Sequence, residues 1–70
     1  MHNQYTAVTV KKDEWWIGWI EEIPGVNCQE HSRDELVESL AVTLKEALEF
    51  NRQDALAAAG ADFQEVQIAV

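Results

Sequence analysis

Disulfide bonds within the chain are excluded, because Cys28 is the single cysteine among 70 residues. No Cys/His pair has the spacing of a structural metal site, and one cysteine suits a reducing compartment. No apolar run approaches the roughly 20 residues that cross a bilayer, and no secretory signal follows Met1. These absences predict a cytoplasmic protein with no membrane partner and no cofactor.

Basic residues are also scarce, since five Lys and Arg stand against thirteen Asp and Glu, for a net charge of −8. Eight of the acids fall between residues 13 and 38, where Arg33 is the single Lys or Arg. Proteins bind nucleic acid through clustered Lys and Arg, so no direct nucleic-acid partner is expected. The charge favours a basic protein partner, and an acidic surface that only keeps the protein soluble is the alternative.

Catalytic groups do not form a recognisable set in this sequence. His2 lies near the terminus and His31 beside a predicted helix start, and no serine or cysteine has the context of an activated nucleophile. Neighbouring carboxylates such as Glu21-Glu22 diverge along a strand, which argues against a Mg²⁺ site. We therefore expect no enzyme activity, no catalytic residues and no bound metal.

All three tryptophans lie in Trp15-Trp16-Ile17-Gly18-Trp19-Ile20, a run of strand-forming residues. Because side chains alternate along a strand, this run is apolar on both faces, and each face needs a cover. Tyr5-Thr6-Ala7-Val8-Thr9-Val10 predicts a preceding strand. Seventy residues make one domain in which a single core is marginal, so self-association is expected to help.

The register of the first hairpin follows if Asp13-Glu14 is a two-residue loop, so that Lys12 lies opposite Trp15. One face then carries the predicted oligomer interface, which consists of Val8, Val10, Trp15, Ile17 and Trp19. The other face carries Ala7, Thr9, Trp16, Gly18 and Ile20, small enough in the middle for a helix to approach. A longer loop would shift this register by one and exchange the faces.

A third strand is expected at Val26-Asn27-Cys28-Gln29, after the turn at Pro24-Gly25. Ser32-Arg33-Asp34-Glu35 then reads as a capping box that starts a helix at Arg33. The helix has an apolar stripe that predicts its contact with the sheet, made of Leu36, Val37, Leu40, Ala41, Leu44, Ala47 and Leu48.

The stripe loses its phase after Leu48, which predicts that the helix ends or kinks near residues 50–52. Residues 53–59 then form a second helical piece that Gly60 stops. Alternation of Val66, Ile68 and Val70 predicts a last strand. The expected fold is thus α+β, in the order β-β-β-α-β, with a helix on one face of an antiparallel meander and a C-terminal strand added to the sheet.

Together these segments resemble the HicB-like antitoxin family, in which an aromatic strand, a Pro-Glu-(hydrophobic)-Pro-Gly segment and a (Thr/Ser)-x-x-Glu-Ala helix start recur in that order. The matching residues span nearly the whole chain. They are Tyr5-Thr6-Ala7-Val8, Trp16-Ile17-Gly18-Trp19-Ile20-Glu21-Glu22-Ile23-Pro24-Gly25-Val26, Ser32-Arg33-Asp34-Glu35-Leu36 and Leu44-Lys45-Glu46-Ala47-Leu48-Glu49. One departure is Glu21, where the family often has proline. Another is that many members continue into a DNA-binding domain, which residues 1–70 do not contain.

The resemblance implies a single HicB-like domain over residues 1–70, with a partial ribonuclease-H-like fold and a fourth strand alongside the first. It also implies an antitoxin of a type II toxin-antitoxin system, which binds and occludes a small basic mRNA-cleaving toxin of the HicA type. The acidic stretch suits that role, and we expect Glu30, Asp34 and Glu38 to contact the toxin. The alternative is an orphan homo-oligomeric domain with no toxin partner, and small-molecule binding or vestigial nuclease activity ranks third.

Overall fold

The structure, a computed structural model that describes residues 4–70, contains three strands followed by one helix. The strands are β1 (Ala7–Lys12), β2 (Trp15–Ile20) and β3 (Asn27–Glu30), and the helix is α1 (Arg33–Ala59). The strands form one antiparallel sheet in the order β1-β2-β3. The predicted α+β class, the meander and the helix are therefore confirmed.

The hairpin register is the one predicted from a two-residue loop. Lys12 lies opposite Trp15, Val10 opposite Ile17 and Val8 opposite Trp19. Asp13 adopts a φ of 57°, a left-handed conformation that aspartate tolerates better than most residues. This local conformation closes a turn for which the pair Asp-Glu is a poor type I′ sequence.

The helix packs on the face that carries the small residues. Leu36 and Leu40 are buried there against Ile20 and Val26. A Cβ atom at Gly18 would lie 3.0 Å from Leu36 Cδ2, 3.0 Å from Leu40 Cδ1 and 3.0 Å from the Val8 carbonyl oxygen. The absence of a side chain at Gly18 is thus what lets the two leucines approach β2 so closely.

The buried stripe of α1 is rotated from its predicted position. Leu44 and Ala47 pack against the core as expected, but Val37 is 41% exposed and Ala41 is exposed too. Ser39 and Thr43, on the other flank of the helix, contact β3 through side-chain hydrogen bonds. These polar contacts hold that flank against the sheet and turn Val37 and Ala41 outward.

The predicted end or kink near residues 50–52 is wrong, because α1 continues without a break to Ala59. Gly60, with a φ of 86°, terminates it as predicted. Loss of the apolar phase after Leu48 marked the end of packing on the sheet, but helix-forming residues such as Ala57 and Ala58 carry the helix further.

The direction of α1 follows from its contacts with β3. Ser39 contacts Glu30, and Thr43, one turn later, contacts Cys28, so the helix runs antiparallel to β3 and leaves the sheet at the end where β1 begins. At 1.5 Å per residue, the twelve residues from Ala47 to Ala59 extend about 18 Å further. The described part of the chain is accordingly elongated, with extents of 51 × 23 × 15 Å.

Residues 61–70, which we call the tail, form no strand in the structure. The predicted C-terminal strand therefore does not join the sheet of its own chain. Its three alternating apolar side chains are exposed, at 76% for Val66, 82% for Ile68 and 117% for Val70. Helix α1 continues to Ala59 before the tail begins, and the tail then lies beside the helix, where Glu65 Oε2 is 3.5 Å from Arg52 Nη2.

Candidate partner-binding surfaces

An acidic groove lies between β3 and the first turns of α1. Its walls are three carboxylates together with one hydrophobic and two hydroxyl side chains, namely Glu30, Glu35, Glu38, Ser39, Val42 and Thr43. The groove exists because β3 ends at Glu30 and the chain reverses within two residues into α1. Carboxylates from a strand and a helix are thereby brought to one surface.

The three residues predicted to contact a toxin occupy different environments. Glu30 is only half-exposed, and its Oε2 accepts a hydrogen bond of 2.8 Å from Ser39 Oγ. Glu38 is exposed in the groove, one helical turn from Asp34. Asp34 lies outside the groove with a side chain 99% exposed, 4.0 Å from Arg33 Nη1. The structure thus joins Glu30 and Glu38 in one groove and leaves Asp34 at its border.

Glu35 has a structural task at the same surface. Its backbone N–H donates to Ser32 Oγ at 3.1 Å, and the Ser32 hydroxyl donates to Glu35 Oε1 at 3.0 Å. The N-cap predicted at Ser32 is therefore formed, although the carboxylate accepts from the hydroxyl rather than from the backbone N–H of Ser32. Substitution of Glu35 would disturb the helix as well as the surface charge.

No described helix or further strand covers the sheet face opposite α1, which we call the open face. It carries the five residues predicted as an oligomer interface: Val8, Val10, Trp15, Ile17 and Trp19. Four of them are half-buried by their neighbours, and Trp19 is 42% exposed. The apolar residues follow β1 and β2, while Asn27 and Gln29 make the β3 side of the face polar.

A ring contact on the open face was not foreseen from the sequence. The His31 ring stacks on Trp15, with centroids 4.2 Å apart and planes inclined by 24°. His31 follows β3 directly, and continued alternation beyond Glu30 places it beside Trp15 on this face. The stack covers part of the largest apolar side chain at one end of the face and gives His31 a packing role.

The remaining candidate groups are the clustered carboxylates, Cys28 and His2. Among residues 4–70, no group of three or more His, Cys, Asp or Glu side chains is arranged to hold a metal ion. Cys28 Sγ lies 3.5 Å from Thr43 Oγ1, and Cys28 packs against the core as a small side chain. His2 lies outside the described residues. No helix in the described part of the chain is both long and apolar enough to cross a membrane.

Comparisons with known proteins return no match, whether the chain is compared with protein-family models, with curated proteins or with solved structures.

Proposed function

We propose that this chain is a cytoplasmic, non-enzymatic interaction protein of the HicB-like type, an antitoxin that occludes a small basic mRNA-cleaving toxin. The observation that carries the proposal is the acidic surface formed by β3 and the start of α1. Glu38 and Asp34 lie one turn apart there, and both are exposed. Arg33 is the single Lys or Arg between residues 13 and 38.

Charge of this kind acts mainly on the rate of association. A carboxylate surface attracts a basic RNA-binding surface over distances comparable with the Debye length, about 8 Å at physiological salt. Occupying that surface would exclude the phosphate backbone of an mRNA from the toxin. The fold proposed for this role is the partial ribonuclease-H-like one, in which the tail becomes a fourth strand of the sheet.

The test begins with capture of partners by the tagged chain in its native cells. We expect a basic protein of about the same size that is released by high salt. The captured protein should cleave mRNA, and added chain should inhibit that cleavage. Recovery of the chain with no basic nuclease attached would contradict the antitoxin function.

A charge-reversal pair then tests the surface itself. Asp34→Lys with Glu38→Lys should slow association with the captured toxin and flatten its salt dependence, because attraction is replaced by repulsion. The matched control is Asp54→Lys with Asp62→Lys, which changes the net charge equally at the far end of the molecule. Equal association rates for the two double variants, measured by stopped-flow, would show that this acidic surface does not guide binding.

The second candidate function is a homo-oligomeric domain with no toxin partner, and the exposed Trp19 on the open face favours it. Burial of an aromatic side chain of this size is worth about 2 kcal/mol. Trp19→Lys should therefore reduce the molar mass measured by light scattering at micromolar concentration. Asn27→Lys, at the neighbouring position of the same row of the sheet, is the control. An unsubstituted chain that stays monomeric would exclude this candidate.

A further inference from the structure

The outer edge of β1 presents backbone groups that have no strand partner among residues 4–70. The backbone N–H of Glu21 donates to the carbonyl oxygen of Thr6 at 2.9 Å, so Thr6 is directed toward β2. In an antiparallel pair this direction alternates along the strand. Ala7, Thr9 and Lys11 therefore direct their backbone N–H and C=O groups away from the sheet, at an edge open to strand addition.

Helix α1 leaves the β1 side of the sheet partly uncovered next to that edge. Helix α1 lies mainly over β2 and β3, and its Ser39 flank contacts β3. The opposite flank, with Val37 and Ala41, faces the β1 side and is exposed. Of the three β1 residues on this face, Ala7 and Thr9 are small, and Lys11 lies at the end next to the hairpin turn. The core is thus incomplete on the β1 side, where one more strand with large apolar side chains would fit.

The tail has the pattern that this space requires. Val66, Ile68 and Val70 alternate with Gln67 and Ala69, so a strand made of residues 66–70 has one apolar face. All three apolar side chains are largely exposed in the structure. With Ile68 beside Thr9, that face would lie against Val37 and Ala41, and the five residues would cover β1 from Ala7 to Lys11.

The tail of the same chain does not reach this position. Glu65 Oε2 lies 3.5 Å from Arg52 Nη2, so the tail runs beside the second half of α1, and Arg52 itself is five helical residues or about 8 Å beyond Ala47. The path to the outer edge of β1 also crosses about 10 Å of sheet width. Residues 66–70 span at most about 17 Å when fully extended. A chain that starts level with Arg52 therefore covers about 13 Å before it reaches that edge, and roughly one residue of the five would remain to pair with β1.

We propose that two copies of this chain exchange tails, each adding residues 66–70 as a fourth strand to the free β1 edge of the other. Residues 49–59 of α1 are the arm that carries the tail out of its own subunit. Occupation of the edge by a second copy also removes an exposed strand edge that would otherwise recruit other chains. This inference concerns assembly and stands whether or not a toxin is the partner.

Disulfide trapping tests the exchange directly. Thr9→Cys and Ile68→Cys are introduced together, with Cys28→Ser to remove the native thiol. Thr9 and Ile68 are the central residues of the two segments and lie opposite each other in either strand direction, at a spacing that permits a disulfide. We expect oxidation to give a covalent dimer of twice 7.9 kDa. The control pair Val8→Cys with Ile68→Cys, on opposite faces of the sheet, should keep free thiols.

Three results would overturn the proposal. An intramolecular Thr9–Ile68 disulfide would show that the tail returns to its own sheet. Free thiols in the Thr9–Ile68 variant would show that no exchange occurs at this edge. Efficient linkage of the Val8–Ile68 pair would place the apolar residues of the tail on the open face instead.

Hydrogen exchange in the chain with its native cysteine gives a second measurement that needs no cysteine substitution. The outward amides of Ala7, Thr9 and Lys11 should be protected, and protection should increase with protein concentration. Ile68→Asp should abolish that protection, while Gln67→Asp, which adds the same charge on the other side of the strand, should retain it. Fast exchange of these amides in the unsubstituted chain at high concentration would refute the exchange.

Discussion

The two halves of α1 are held in place by different forces. In the first half, Leu36 and Leu40 are buried against the sheet. In the second half, residues 49–59, Phe50 is 61% exposed and Leu56 is half-buried. Tertiary packing therefore stabilises the first half, while the second depends on intrinsic propensity and on side-chain pairs such as Glu49 with Gln53. One continuous helix thus combines a core element with an exposed arm.

The largest expected effect comes from a leucine of the first half. Leu40→Ala removes a side chain that is 2% exposed, and such changes cost about 2–5 kcal/mol. A domain of this size has a total stability of about 4–10 kcal/mol. Urea denaturation should show a partly unfolded protein or a sharply lowered midpoint. Leu56→Ala, the same change in the second half, is the control and should cost less than about 1 kcal/mol. Equal losses of unfolding free energy in Leu40→Ala and Leu56→Ala would contradict the difference proposed between the two halves of α1.

A smaller loss is expected where β2 meets the first half of α1. Gly18→Ala places a Cβ atom 3.0 Å from Leu36 Cδ2, Leu40 Cδ1 and the Val8 carbonyl oxygen. Overpacking of this kind costs about 1–3 kcal/mol. Gly18→Ala combined with Leu40→Ala should cost less than the sum of the two single changes, because the crowded methyl group is gone. Additive costs in denaturation would mean that Leu40 is not what limits the space at Gly18.

Sequence patterns predicted which segments form strands and helices better than they predicted which segments pack against each other. The register of β1 with β2 followed from taking Asp13-Glu14 as a two-residue loop, and a longer loop would have shifted it by one residue and exchanged the two faces. The start of α1 followed from the capping box at Ser32. The length of α1 could not be predicted from the sequence in this way, because an apolar stripe indicates where a helix packs and not where it ends. The loss of the apolar period after Leu48 correctly indicated where burial against the sheet ends, but it did not indicate where the helix ends.

The candidate site was predicted in part for a related reason. Acidic residues near the helix start were visible in the sequence, and the structure brings Glu30 and Glu38 to one groove. The hydrogen bond between Glu30 and Ser39 joins residues nine positions apart on two different elements, and no local sequence pattern predicts such a pair. The alternation of Val66, Ile68 and Val70 showed that the tail suits a strand. This alternation did not indicate which sheet edge, or which copy of the chain, the strand would join.

The helix cap gives an intermediate effect that belongs to the first half alone. Ser32→Ala removes the acceptor of the Glu35 backbone N–H and should cost about 1 kcal/mol. For a domain of 60–100 residues this lowers the melting temperature by about 4–8 °C. Arg33→Ala, at the adjacent exposed position, should leave the thermal transition seen by circular dichroism nearly unchanged. A Ser32→Ala protein that melts with the parent would indicate that another residue caps α1.

The smallest effect is expected in the second half, where Phe50→Ser changes a large side chain that is 61% exposed. If residues 49–59 are an arm without a core of their own, the free energy of unfolding at low protein concentration should change by less than about 0.5 kcal/mol. The measurement is urea denaturation followed by tryptophan fluorescence, which reports on the sheet through residues 15, 16 and 19. A large loss at every concentration would place Phe50 in the core of a single chain. A loss that appears only at high concentration would instead mean that a second copy packs against the arm.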